Sequence, residues 1–196
     1  MSKNTHSSLY DTQGLRLYLT ADEREAFLKA AMDEDLPTRT FCRTLHITGM
    51  RISEALALTP KRIDFSSRVV VVGTLKKRRT GVYRSIPVPE DYLDAMDMVH
   101  GLKEKKGGRT KPLWPWSRMT AYRKVVSVML YAGIEEGPHC SPKGLRHAYG
   151  VHAVLNNVPL NTLRKWMGHA TIETTAIYAE VVGEEEREMA ARMWSK

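Results

Sequence analysis

Hydrophobic and polar positions along this chain change period twice. From Thr20 onward the spacing is helical. Ala26, Phe27, Ala30 and Ala31 form an apolar stripe, and Thr20 with Glu23 three residues on makes a capping box that opens a helix over Ala21–Met32. Pro37 interrupts the chain. Thr38–Ile47 then reads as a second helix with Phe41, Cys42 and Leu45 inward, ended by Thr48-Gly49. Ile52–Leu58 reads as a short third helix stopped ahead of Pro60.

The period next drops to two. Val69–Val72 is a run suited to a buried strand. Val82–Val88 alternates, with Tyr83, Ser85 and Pro87 opposite Val82, Arg84, Ile86 and Val88. Together they predict a β-hairpin or small sheet, and Pro87 and Pro89 make its exit an edge. Helical spacing returns over Glu90–Lys103 (Leu93, Met96, Val99, Leu102), Arg118–Ala132 behind Ser117, Lys143–Asn156, Leu160–Met167, Thr171–Val181 and Glu184–Met193. Lys105–Lys111 and Gly137–Pro142 read as loops. No internal repeat or low-complexity segment appears. The expected fold is mainly α with a small antiparallel β-sheet, an α+β arrangement in a single compact domain.

Composition narrows the class. A chain of 196 residues holds one domain and buries a core without staples. Apolar residues at 42% and charged residues at 27% fit a globular protein. The longest apolar run is Val69–Val72, far short of the roughly 18 residues a membrane helix needs. The opening MSKNTHSSLYDTQG is polar, so no secretory signal is expected. Two cysteines, Cys42 and Cys140, are too few for a disulfide framework and fit a reducing cytoplasm. The net charge of +8 points to a polyanionic partner such as nucleic acid. That charge is clustered: Leu75–Arg84 holds Lys76, Lys77, Arg78, Arg79 and Arg84 with no acid, whereas the stretch from Glu180 to Lys196 is rich in glutamate.

Generic enzyme signatures are missing. There is no P-loop, no glycine-rich dinucleotide turn, no HExxH, no paired CxxC and no zinc spacing of His and Cys, so no metal or cofactor is expected. Cationic and polar residues instead gather at element ends. Thr48-Gly49-Met50-Arg51-Ile52-Ser53-Glu54-Ala55-Leu56 is one group. A hairpin lysine within Thr74-Leu75-Lys76-Lys77-Arg78 is another. Lys143-Gly144-Leu145-Arg146-His147 follows. Met167-Gly168-His169, with Tyr178 nine residues after His169, completes the set.

In this order and spacing, the four pieces resemble the catalytic domain of the tyrosine recombinases, the phage-integrase family, from about Tyr18 to Tyr178. The resemblance implies a site-specific DNA recombinase that cuts and rejoins double-stranded DNA through a covalent 3′-phosphotyrosine. The nucleophile would be Tyr178. Arg51 and Arg146 would clamp the nonbridging phosphate oxygens with planar donors that stay charged. His169 would hydrogen-bond one of them. Lys76, which follows the strand at the expected distance, or its neighbour Lys77 would protonate the leaving 5′-oxygen. Glu54 would orient an arginine, His147 would support the site from behind, and Lys77, Arg78, Arg79 and Arg84 would contact DNA.

One position departs from the family box, which reads His-x-x-Arg. Here Lys143 stands first. An ammonium of pKa about 10.4 does not accept a tyrosine proton unless its surroundings lower that value. Lys143 is therefore read as a further phosphate cation, with His139 as an alternative base.

The resemblance also implies an organisation: a lead over residues 1–17 expected to be flexible, a catalytic domain over 18–182, and a C-terminal helix over 183–196. Met189, Ala190, Met193 and Trp194 give that helix an apolar face suited to packing on a neighbouring protomer, in a homotetramer on two DNA sites. The short lead leaves no room for the N-terminal DNA clamp of longer members, so an accessory DNA-bending protein is a possible partner. A bacterial cytoplasmic, nucleoid-associated location follows. A DNA-binding regulator on the same fold and a type IB topoisomerase-like enzyme are the competing readings.

Overall fold

Thr20 caps the first helix as its sequence requires. Its hydroxyl accepts the Glu23 N–H at 3.2 Å and the Glu23 carboxylate accepts the Thr20 N–H at 2.8 Å. The resulting α1 spans Ala21–Ala30 and tightens into a 3₁₀ turn over Ala31–Asp33. In this computed structural model, which describes residues 8–74, 81–103, 110–179 and 184–194, the expected alternation of helix, sheet and helix is present.

Helix α2 (Leu36–Thr48) starts ahead of Pro37 instead of after it. Proline is tolerated in a first turn because the N–H it lacks has no partner there. Asp35 supplies the cap, accepting the Thr38 N–H at 2.9 Å. Gly49, at φ +57, ends α2 in a left-handed turn that delivers the chain to α3 (Ile52–Leu56). After a 3₁₀ turn over Pro60–Arg62, β1 (Ile63–Asp64), β2 (Val69–Gly73) and β3 (Tyr83–Pro87) form an antiparallel sheet in that order. Val70 pairs with Ile86 and Val72 with Arg84, and those four residues are all buried. The two-residue β1 is too short for any sequence periodicity to reveal.

Helices α4 (Glu90–His100), α5 (Arg118–Tyr131), α6 (Pro142–Leu155) and α7 (Leu160–Met167) follow. Gly101, at φ +59, stops α4 short of the predicted Lys103. The helix expected over Thr171–Val181 is only α8 (Glu173–Ala176), and the chain then tightens into a 3₁₀ turn over Ile177–Ala179 that carries Tyr178. Last comes α9 (Glu184–Trp194), whose Arg192 donates to the Leu155 carbonyl.

Helix α6 runs through the centre against α1, α2, α5 and α7. Of its residues only Lys143, His147 and His152 escape full burial. Phe27, Phe41, Leu145 and Val128 lie wholly inside, and each such side chain contributes about 1.5–3 kcal/mol of burial. Trp114, expected as a buried corner, packs edge-on against Phe41 at 5.1 Å between centroids and donates its indole N–H to the Pro37 carbonyl at 3.0 Å. Residues 8–17, expected to belong to a flexible lead, instead form a turn: Tyr10 bridges to Arg16, the Asp11 carboxylate accepts the Gln13 and Leu15 N–H groups, and Leu9 enters the core. Among the described residues no helix is long and apolar enough to cross a membrane.

Candidate active site

The left-handed turn at Gly49 places Arg51 at the N-terminus of α3, where its extended backbone leaves the side chain half-exposed. Glu54, one turn on, closes that helix end by accepting the Arg51 backbone N–H at 2.8 Å. The same buried carboxylate accepts from the Arg51 guanidinium at 3.2 Å and from Arg84 at 3.2 and 2.7 Å. Burial raises its pKa, but the Arg84 hydrogen bonds, followed by the charge of Arg84 and the Arg51 contacts, hold it below the usual carboxylate range.

This arrangement corrects one expectation. Arg84, taken from the basic run as a DNA contact, is buried on the inner face of β3. It also donates from Nε to the Trp166 carbonyl at 2.7 Å. The alternation that sets Arg84 on the same face as Ile86 and Val88 carried that signal. Gly168 makes room for it: at φ +66 it ends α7, and a Cβ there would come within 2.8 Å of the Arg84 guanidinium. Lys76, Lys77, Arg78 and Arg79 lie outside the described residues.

Arg146 projects from α6 and is anchored by two carbonyls, Gly49 at 2.6 Å and Met167 at 2.7 Å. Burial, reinforced by Arg51, lowers its pKa to about 10, so it remains cationic at neutral pH. It thereby ties the turn before Arg51 to the turn before His169. The His169 imidazole sits 2.9 Å from the Thr175 hydroxyl through Nδ1. Burial, then Arg146 and Arg51, drives its pKa down to about 3, which leaves it neutral.

Tyr178 lies almost fully inside the protein, 1% exposed. Its ring stacks on His169 with centroids 6.2 Å apart and 18° between planes. On another side it rests on Gly150 of α6, where a Cβ would stand 2.5 Å from Tyr178 Cζ. Burial raises the phenol to about 12 despite the opposing pull of Arg146 and Arg51. The hydroxyl is 3.1 Å from Nδ1 of His147. His147, expected behind the site, therefore touches its central oxygen. The spacing of Lys143 and His147 held a usable signal, because residues i and i+4 share one helix face and both escape full burial.

A cavity of about 750 Å³ opens on these groups. It is lined by Arg51, Lys143, Arg146, His147, His169 and Tyr178, with Tyr10 and Asp11 from the N-terminal turn and Arg118 and Tyr122 from α5. No sequence signal singled out Arg118, Tyr122 or the N-terminal turn. Lys143 is exposed in the first turn of α6. His139 is not among the lining residues and faces Glu23 at 3.8 Å. The cavity thus combines a half-exposed arginine, a carbonyl-anchored arginine and a neutral histidine around a phenol. Such a set suits a tetrahedral oxyanion next to an oxygen nucleophile.

Comparison with known proteins agrees with that chemistry. Residues 17–185 match the Phage integrase family. Over 208 residues the chain is 29% identical to the tyrosine recombinase XerD of Mycobacterium leprae (strain TN), covering 92% of this chain and 62% of that protein. Over 194 residues it is 31% identical to a resolvase of Escherichia coli, covering 84% and 73% respectively. Among solved structures, XerA recombinase superposes with a TM-score of 0.77 at 22% identity, over 93% of this chain and 66% of that one. The post-cleavage complex of XerH with its palindromic difH substrate gives 0.76 at 19%, over 100% and 59%. The chain thus spans about three-fifths of the length of XerD.

Proposed function

Because this chain belongs to the phage integrase family, we propose that it is a site-specific DNA strand-transfer enzyme working through a 3′-phosphotyrosine. The observation that carries the reading is the convergence of Arg51, Arg146, His169 and Tyr178 on one cavity, from four separate elements.

The Tyr178 oxygen attacks the phosphorus of a DNA phosphodiester. The bond from phosphorus to the 5′-oxygen breaks, and the 3′ end remains on the protein as a phosphotyrosine. The 5′-oxygen leaves as a hydroxyl, protonated by Lys76 or its neighbour Lys77. One phosphodiester is exchanged for another, so no ATP is consumed. A 5′-hydroxyl from the second duplex then attacks the phosphotyrosine and restores the nucleophile.

The cationic groups are matched to the charge that builds on the nonbridging oxygens. Arg146 is fixed by two carbonyls and costs little reorganisation; Arg51 is held through Glu54 and keeps its outer donors free for phosphate. Preorganised donors of this kind are each worth roughly 10²–10³ in rate. His169, neutral and oriented by Thr175, donates from Nε2 to one of the same nonbridging oxygens. Lys143, exposed among the residues that line the cavity, adds a further charge.

Helix α9 supports assembly on two DNA sites as a tetramer: Met193 and Trp194, at 81% and 75% exposure, give it an apolar end with no cover among the described residues. A cytoplasmic enzyme with double-stranded DNA as partner fits the basic composition.

The test is covalent capture. The protein is mixed with a pool of nicked random-sequence duplexes, which trap the adduct by losing the short 5′-hydroxyl strand. An SDS-resistant adduct is expected from the wild type and none from Tyr178→Phe. An adduct that survives Tyr178→Phe, or no adduct from the wild type, would overturn the reading.

A further inference from the structure

The site poses a proton problem. Burial holds the Tyr178 hydroxyl at about 12, so at neutral pH its proton must leave as the oxygen attacks. The position where family resemblance expects a histidine carries the exposed Lys143, and His139 faces away. One turn beyond Lys143, on the same face of α6, His147 sets Nδ1 3.1 Å from the Tyr178 oxygen.

We propose that His147 accepts the Tyr178 proton during cleavage and returns it during rejoining, an assignment that rests on the strand-transfer reading above. In the first step the Nδ1 lone pair takes the phenol proton while the oxygen–phosphorus bond forms and the bond from phosphorus to the 5′-oxygen breaks. The leaving oxygen takes a different proton, from the hairpin lysine. In the second step the oxygen of a 5′-hydroxyl bonds to phosphorus and its proton passes back to the hairpin lysine, while the bond from phosphorus to the tyrosine oxygen breaks and the imidazolium returns its proton to that oxygen.

Two further observations support the assignment. The phenol ring packs between His169 and Gly150, which positions its hydroxyl toward His147. The other imidazole nitrogen, Nε2, is buried and has no hydrogen-bond partner among the described residues, so the bond to Tyr178 is the one polar contact that orients this ring. A buried ring held for stability alone would be expected to satisfy both nitrogens.

The charges around His147 are Lys143 and Arg146 on its own helix, with Tyr178 and His169 packed from the other elements. Burial first, then Lys143 and Arg146, lowers its pKa to about 4, so in the free protein it stands neutral but as a weakened base. A DNA phosphate seated against those cations offsets their repulsion and raises the proton affinity of the ring at the moment the proton moves.

Two measurements test this. Nitrogen-15 NMR of the free protein labelled at histidine should show an unprotonated Nδ1 on His147 at neutral pH, with a signal that shifts in Tyr178→Phe. A protonated Nδ1 would overturn the assignment. The second is single-turnover cleavage by His147→Asn, whose amide oxygen can hold the phenol but cannot take its proton, on a nicked duplex recovered by the covalent capture above. Folding is checked by the melting transition. A loss of about 10²–10⁴-fold is expected, shrinking by about tenfold for each pH unit as tyrosinate replaces phenol. Replacing the bridging 5′-oxygen with sulfur, a leaving group that needs no acid, should not restore the rate.

A His147→Asn rate within about threefold of wild type, a pH-independent loss, or rescue by sulfur would each refute the proposal. If the wild type forms no Tyr178 adduct, the strand-transfer reading fails and this inference fails with it. An active wild type with an indifferent His147→Asn removes this inference alone.

Discussion

Glu54→Gln is the perturbation whose consequences can be worked most fully. The carboxylate is buried, caps α3 through the Arg51 N–H and holds both the Arg51 and Arg84 guanidinium groups. The amide keeps the shape and one acceptor but leaves the buried Arg84 charge uncompensated. Removing one partner of a buried ion pair costs about 3–5 kcal/mol, a large share of the roughly 5–15 kcal/mol that stabilises a domain. The assay is urea unfolding at neutral pH: the midpoint should fall with little change in slope.

The pH dependence gives a second handle. The folded pKa of Glu54 lies below its unfolded value of about 4.5. Its stabilisation is therefore fully present above the unfolded value and is lost as pH falls through the folded one. Glu54→Gln should remove that part of the acid sensitivity. Pairing it with Arg84→Met, which removes the stranded charge, should recover about 1–3 kcal/mol relative to the sum of the single effects. If Glu54→Gln unfolds within about 1 kcal/mol of wild type and the double variant shows no coupling, the view of Glu54 as the clamp of two arginines is wrong.

Other changes separate the roles of neighbouring groups. Gly150→Ala should leave the fold intact, because helix propensity gained offsets part of an overpacking cost of about 1–3 kcal/mol, yet displace the Tyr178 ring and sharply reduce covalent adduct; a normal adduct yield would show that the ring does not depend on that contact. Lys143→His should keep or raise cleavage, and an activity as low as that of Tyr178→Phe would contradict its role as an ordinary phosphate cation. Removing residues 184–196 should abolish pairing of two sites in a gel-shift assay while retaining single-site binding; unchanged pairing would separate α9 from assembly.

The helices and the small sheet were legible because their apolar periods are strong, and capping residues such as Thr20 and Ser117 do locally what they do in any helix. Arg51, Arg146, His169 and Tyr178 were legible through resemblance, each lying in a short block at an element end. Arg84 belongs to the basic cluster along the chain, which suggests a DNA contact, but strand alternation decides its face and turns the side chain inward. The contact between His147 and Tyr178 is not legible in the sequence for a different reason: the two lie 31 residues apart, and only the packing of the 3₁₀ turn against α6 brings them together. The turn at residues 8–17 has no periodicity to read. Its order comes from the Asp11 carboxylate and from Leu9 entering the core.

The central claim concerns one bond, between Tyr178 and the 3′ end of a broken DNA strand. Proteolysis of the captured adduct, nuclease trimming and mass spectrometry of the modified peptide read that bond directly. The account predicts a nucleotide mass on the peptide containing Tyr178, joined through a 3′-phosphate, with a free 5′-hydroxyl on the released strand. A nucleotide on any other residue, or a linkage through a 5′-phosphate, would contradict it.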